Sequence, residues 1–426
     1  MNEKLLQYIW QFQYFNLNEL TSEDGEPVII INAGKINSNQ GPDFLDAKIK
    51  IDNTIWIGNI ELHVKNSDWN IHQHGNDPNY KNIILHVVWQ VDIVLDAPFP
   101  VLELQSKVSK LLLKKYQELM QPHGFIPCEN MFPDTDDLVW AHWKERLLIE
   151  RLQHKATTIL SCLAENNNHW EETFWWMIAK NFGTKINSEA FEQIARSVSI
   201  TILAKHKNQI HQIEAMLLGQ AGLLTGDFKD DYCKLLQKEY QFLKNKYRLQ
   251  PIKVQVHYLR MRPSNFPSLR LAQLAMLVHN SIHLFSKIIS TEKVSSIKKM
   301  LELTANDYWH YHYLPDEPSN FLEKKLGIQM QDNIIINTIV PFLFAYGYQL
   351  KDTGFTSRAI NWLETIAAEK NSICKGFEAL GIQQKSAFDT QALIQLKNNY
   401  CNKKHCLDCA IGNKILKRSA TTSVAI

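Results

Sequence analysis

Over the first hundred residues, apolar positions alternate in short runs bounded by turn formers; beyond about residue 107 they recur every three to four. The first texture predicts strands and the second helices. Leu5 to Phe15 reads as a short amphipathic helix, Pro27 to Asn32 as an apolar strand, and Phe44 to Ile51 as an alternating strand. Asp52-Asn53-Thr54 predicts a hairpin turn into a further strand, Ile55 to Lys65. Asn66 to Tyr80 is polar and predicts a loop or short helix. Ile83 to Val91 and Val101 to Leu104 predict two more strands. Segments 137–163, 171–182, 187–206, 208–224, 229–247, 268–290, 328–349, 356–369 and 386–399 carry helical spacing, punctuated by Gly and Pro. The expected class is therefore α+β. A mixed sheet with short helices occupies 1–106, and a large all-helical region occupies 107–426. No fixed period points to a solenoid.

One strand breaks its own alternation. From Ile55 and Ile57 the apolar set moves to Ile60, Leu62 and Val64 across Gly58-Asn59. A β-bulge at that dipeptide is the expected cause. It turns Glu61, His63 and Lys65 to the face opposite the apolar one, where strand parity also puts Asp46. Asp43 shares the apolar parity unless its strand starts irregularly after Pro42. The plainest reading of Glu61, His63 and Lys65 is the wet face of an amphipathic strand.

The chemical reading starts from Gly41-Pro42-Asp43-Phe44 and Glu61-Leu62-His63. An acid at the head of one strand and an acid-x-base on the next can gather carboxylates around Mg or Mn. A neighbouring His63 or Lys65 can then orient water or relay a proton. These residue types in this order resemble the PD-(D/E)xK nuclease superfamily, with His63 where a lysine usually stands. The element order helix, three strands, connector, two strands is close to the core of that superfamily. The resemblance implies a nuclease-like sheet and metal-dependent cleavage of DNA or RNA. Its catalytic set would be Asp43, with Asp46 as rival, and Glu61, His63 and Lys65; Asp43 and Glu61 would hold the metal. Two other readings stay open: a non-catalytic nucleic-acid-binding protein on a degenerate nuclease fold, and a metallohydrolase of a small phosphorylated substrate. The third draws on His72-x-His74 followed by Asp77, a pattern that suits zinc or manganese and that otherwise reads as a polar surface loop. His86, inside an apolar run, reads as a hydrogen-bonded core histidine.

Charge and cysteine placement alter this picture. Residues 1–105 hold 6 Lys and no Arg against 14 Asp+Glu, a balance of −8, so the remainder carries +10. A carboxylate-rich head suits a metal, and a basic body suits a polyanion such as DNA or RNA. Arg260, Arg262 and Arg270, spread around two prolines ahead of a helix that Ser268 would cap, are the candidate nucleic-acid contacts, with Phe266 available to stack on a base. Cys401-x4-Cys406-x2-Cys409, with Cys374 a helix-length upstream, offers four thiolates to zinc or a 4Fe-4S cluster. Cys128, Cys162 and Cys233 read as buried free thiols. The polar-interrupted N-terminus and the lack of a long apolar run predict a cytoplasmic protein with no membrane span.

The whole chain also resembles, nearly end to end, an uncharacterised bacterial domain-of-unknown-function family. Gly41-Pro42-Asp43-Phe44, Glu61-Leu62-His63, His72-x-His74, Leu85-His86-Val87-Val88-Trp89, Arg262-Pro263 and Cys406-Leu407-Asp408-Cys409 carry that likeness. It implies no activity.

Overall fold

The structure is a computed structural model that describes residues 1–121, 124–131, 137–281 and 283–421. The fold is α+β, with a mixed sheet at the N-terminal end and helices through most of the rest. The chain groups into two compact units: Met1–Trp143 together with the chain from Leu396 on, and Lys144–Gln395. This grouping cuts the chain differently from a boundary at 106/107.

In the first unit, helix α1 (Glu3–Gln11) starts at Asn2, whose side chain accepts from the Leu5 N–H, with Glu3 in the first turn where the helix dipole favours a negative charge. Its apolar face, Leu5, Leu6, Ile9 and Trp10, is buried, and the Trp10 indole donates to Ala33 O at 3.0 Å. Strands follow as β1 (Val28–Asn32), β2 (Lys35–Ile36), β3 (Phe44–Ile51) and β4 (Thr54–Lys65). After helix α2 (Asp68–Ile71) come β5 (Ile83–Gln90) and β6 (Val101–Glu103). The sheet order is β1-β3-β4-β5-β6, with β2 also on β3. β1, β2 and β4 run antiparallel to β3, whereas β5 is parallel to β4 and β6 to β5. β5 is buried along six consecutive residues, as a parallel strand covered on both faces must be.

The bulge lies elsewhere than β4. Phe44 pairs with Ile60 but Ala47 pairs with Gly58, so β3 holds the extra residue at Leu45-Asp46. Asp46 takes a left-handed φ of 56° there. A second irregularity is in β5, where Asn59 and Ile60 face Ile83 and Leu85, leaving Ile84 over. The odd-numbered isoleucines of β4 did not call for a bulge in that strand: Ile55 and Ile57 are 53% and 66% exposed, so they never belonged to the core face.

The second unit is helical. Helices Trp170–Phe182 and Thr184–Ser197 pack as a hairpin, with Gly183 at their junction, where an added Cβ would lie 2.4 Å from Asn187 O. Helix Pro267–Asn280 is buried at eleven of its fourteen residues, so it is a central helix rather than an amphipathic surface one. No helix among the described residues is long and apolar enough to cross a membrane.

Candidate metal centre

Continuing the β3–β4 register by one residue beyond Phe44 and Ile60 sets Asp43 opposite Glu61. The contacts bear this out. The Asp43 N–H donates to Glu61 Oε2 at 3.0 Å, and the Leu62 N–H donates to Asp43 Oδ2 at 3.1 Å. Gln7 on α1 donates to Asp43 Oδ1 at 2.8 Å. Asp46, displaced by the bulge, is exposed and stands outside the group, although simple parity favoured it. The extra residue in β3 reverses that parity.

β4 carries Glu61 and His63, both buried, on one face. The polar connector brings two more rings back over them. The Asp68 carboxylate takes the Lys65 N–H at the start of α2, His72 caps the end of that helix, and Gln73 reverses the chain with a left-handed φ of 57°. His74 therefore returns to stack on His63, with ring centroids 5.3 Å apart, and on Tyr80 at 3.9 Å. Trp69 closes the floor against His74, His86 and Phe99. What the sequence offered as two clusters is one.

Three imidazoles converge, those of His63, His72 and His74, and Glu61 Oε1 stands beside two of them. His63 Nε2 is 3.1 Å from His72 Nδ1 and 3.7 Å from Glu61 Oε1, and His74 Nε2 is 3.4 Å from Glu61 Oε1. Among the described residues, His63, His72 and His74 are the group whose ligand atoms all lie within 4.8 Å. Metal–nitrogen bonds of about 2.0–2.1 Å around a tetrahedral ion set donors roughly 3.4 Å apart. The spacing of the three imidazoles therefore fits, and Glu61 Oε1 lies beside two of them, His63 and His74. His74 Nε2 is buried with no aligned hydrogen-bond partner, an orphan that a metal would satisfy. The second ring nitrogen of His63 is held 2.8 Å from His86 Nε2, which fixes the ring with Nε2 turned inward. His86 is thus the hydrogen-bonded core histidine expected, at 0% exposure.

The electrostatics point the same way. Burial first, then the neighbouring imidazoles, lowers His63 to about 2, and burial lowers His86 to about 3. Burial first, and the Asp43 charge second, pushes Glu61 up to about 9; burial raises Asp43 to about 6. Neutral imidazoles beside carboxyls that resist ionisation describe a cavity short of positive charge. Lys65 does not supply it. Its side chain is exposed at the end of β4, roughly 13 Å along the strand from Glu61.

The other candidate residues divide. Cys401, Cys406 and Cys409 are buried together, but Cys374 is in the unit Lys144–Gln395, where Glu369 is its nearest charged influence. The thiol grouped with these three is Cys128. Burial and then Cys409 and Cys406 push its thiol up to about 12, and Cys401 is raised by burial and then by Cys409, Cys128 and Cys406. The segment bearing Cys128 is tied in by Lys397, which donates to Phe125 O at 2.6 Å, and by Lys404, which donates to Met120 O at 2.6 Å. Cys409 precedes the helix Ala410–Thr421 and takes the Ile411 and Gly412 amides at its sulfur. Position in the chain hid Cys128; only its sequel Glu129 to Met131, a tight turn, marks that it is held.

Among the arginines, Arg262 and Arg270 line one cavity, whereas Arg260 is exposed outside it. Ser268 does not cap the helix; it lies inside it and donates to Tyr313 O. Phe266 packs edge-on against Tyr258.

The family model described as "Protein of unknown function (DUF2851)" matches residues 3–372. The chain belongs to that family. No curated protein and no solved structure matches the chain. The family span takes in Asp43, Glu61, the three converging imidazoles, Cys128 and the arginines, and stops short of Cys374 and the later cysteines.

Proposed function

We propose that the chain is a metal-dependent hydrolase of phosphodiester bonds in DNA or RNA, with Glu61, His63, His72 and His74 as the ligands of one ion. The observation that carries this is the convergence of three imidazoles, with Glu61 beside two of them and a second carboxylate, Asp43, next to Glu61. Three imidazoles and one carboxylate favour zinc or manganese over magnesium. When bound, such an ion supplies Lewis-acid shielding of phosphate charge and lowers the pKa of a water. Asp43 is the carboxylate left outside the donor set. Held by Gln7 and the Leu62 amide, it is the group placed to take a proton from water. His86 keeps the His63 ring in one orientation, and Tyr80 braces His74 from the side.

The resemblance to PD-(D/E)xK nucleases, with Asp43 opposite Glu61 on adjacent strands, favours a polynucleotide substrate. The histidine-rich donor set favours the second reading, a metallohydrolase of small phosphate esters. The purified chain should retain about one equivalent of zinc or manganese by elemental analysis. With that metal it should nick a plasmid, and both His74→Ala and Glu61→Ala should lose metal and nicking together while remaining folded. Metal retention with hydrolysis of small phosphate esters alone would select the second reading. A chain that holds no metal would end both.

A second metal is proposed at Cys128, Cys401, Cys406 and Cys409, in a structural role. A single zinc would draw four sulfurs to about 3.8 Å of one another. Among the described residues no three cysteine sulfurs lie within 4.8 Å of one another. The wider spacing favours a 4Fe-4S cluster, which spreads its four thiolates over a larger body.

A further inference from the structure

The unit Lys144–Gln395 contains a cavity of about 850 Å³ that is separate from the metal centre. Six cationic side chains line it: Lys155, Lys180, Lys185, Arg262, Arg270 and Lys325. No aspartate or glutamate does. Lys180 and Lys325 have carboxylate partners nearby in Glu192 and Glu323. Among the described residues, Lys155, Lys185, Arg262 and Arg270 have none within ion-pair distance.

Arg270 is the most telling of these. It is 7% exposed, on the central helix Pro267–Asn280, and its partners are neutral: Gln273 Oε1 at 2.9 Å and Asn265 Oδ1 at 2.6 Å. Its Nε has no hydrogen-bond partner. The Lys155 ammonium likewise donates to amide oxygens, Asn337 Oδ1 at 2.9 Å and Gln391 Oε1 at 3.4 Å. A buried cation without a counter-ion, as Arg270 is, is costly, and folds rarely retain one unless something negative arrives. Burial alone lowers Arg270 to about 10; burial and the Arg151 charge outweigh the pull of Glu369 and lower Lys155 to about 7, so both groups stand to gain from a bound anion.

The geometry points to a binding site for a phosphorylated small molecule of nucleotide size, gripped at its phosphates by Arg270, Arg262, Lys155 and Lys185. Arginine forks match phosphate oxygens in pairs, and the volume lies within the range of small-molecule sites. Met177 and Met330 give the cavity an apolar wall for the organic part. A polynucleotide groove is disfavoured. Single strands are held on exposed aromatic platforms, and the one aromatic side chain in the lining, Phe342, is fully buried.

Calorimetric titration with inorganic pyrophosphate and with adenosine triphosphate tests this. Pyrophosphate should bind the full chain at one site, and the triphosphate more tightly because its body adds contact with the apolar wall. Lys185→Ala and Arg262→Ala alter exposed side chains and should leave the fold intact, so each should weaken pyrophosphate about tenfold. Arg270→Lys keeps the charge but loses the fork, and should weaken it as well. Failure of pyrophosphate to bind, or binding that Lys185→Ala and Arg262→Ala leave unchanged, overturns the assignment. So does a single-stranded oligonucleotide that alone binds and alone responds to these substitutions.

Discussion

At the level of single residues, burial decides what charge does here. Glu214 is fully buried in the second unit, accepting from Tyr232 Oη at 2.6 Å and Trp309 Nε1 at 3.2 Å. Burial outweighs those hydrogen bonds and raises the carboxyl from 4.5 to about 7. An acid with a raised folded-state pKa stabilises the fold below its unfolded value, and that stability drains away as pH rises through the folded value. The loss should therefore run from about pH 4.5 to about pH 7 and reach on the order of 3 kcal/mol. Glu214→Gln keeps an acceptor for Tyr232 and cannot ionise. Thermal melts of the variant should be flatter over that window than those of the parent chain, and more stable at pH 8. Parallel melting curves would mean that Glu214 ionises at no cost. The residue types at the metal centre were legible in the sequence, since Glu61, His63, His72 and His74 all stood out. Their union was not, because it depends on a left-handed residue at Gln73 that no local pattern marks.

At the level of elements, the strands were legible because alternation and turn residues report locally, and β3 through β6 fall within a residue or two of the pattern. Bulges were not, since they answer to the partner strand. The shift across Gly58-Asn59 arose from two exposed isoleucines, and the extra residues at that level belong to the strands on either side. Gly58 shows why that dipeptide matters. A Cβ there would lie 2.5 Å from Ile84 Cγ2 and 2.7 Å from Asn82 O, in the notch where the extra residue of β5 packs. Ala at this position must push β5 away from β4. Gly58→Ala should cost about 1–3 kcal/mol, the usual range for overpacking. Because Glu61 and His63 follow on the same strand and His86 lies on β5, the variant should also bind metal more weakly at temperatures where it is folded. A lowered melting temperature with unchanged metal affinity would show that the bulge serves packing alone.

At the level of the whole molecule, the first unit is built from both ends of the chain, and this is where sequence proximity misled most. Cys374 is 27 positions before Cys401, and Cys128 is 273 before it, yet the distant one joins the cluster. A contact across such a separation is expensive to close in the unfolded chain, with a cost that grows as the logarithm of loop length. Something strong has to hold it. The helix Ala410–Thr421 packs on α3 (Lys110–Met120), and Gly412 lies so close to Cys406 that a Cβ would fall 2.1 Å from its carbonyl oxygen. A metal shared by Cys128 and the three late cysteines would add a covalent clamp to that packing. Cys128→Ser should then lose the iron or zinc and the visible absorbance of any iron–sulfur cluster, and should lower the melting temperature. Cys374→Ser should keep both metal and spectrum, since Glu369 rather than any of these cysteines is the charge that acts on that thiol. Loss of metal from the Cys374 variant, or its retention in the Cys128 variant, would return the fourth ligand to the nearer cysteine.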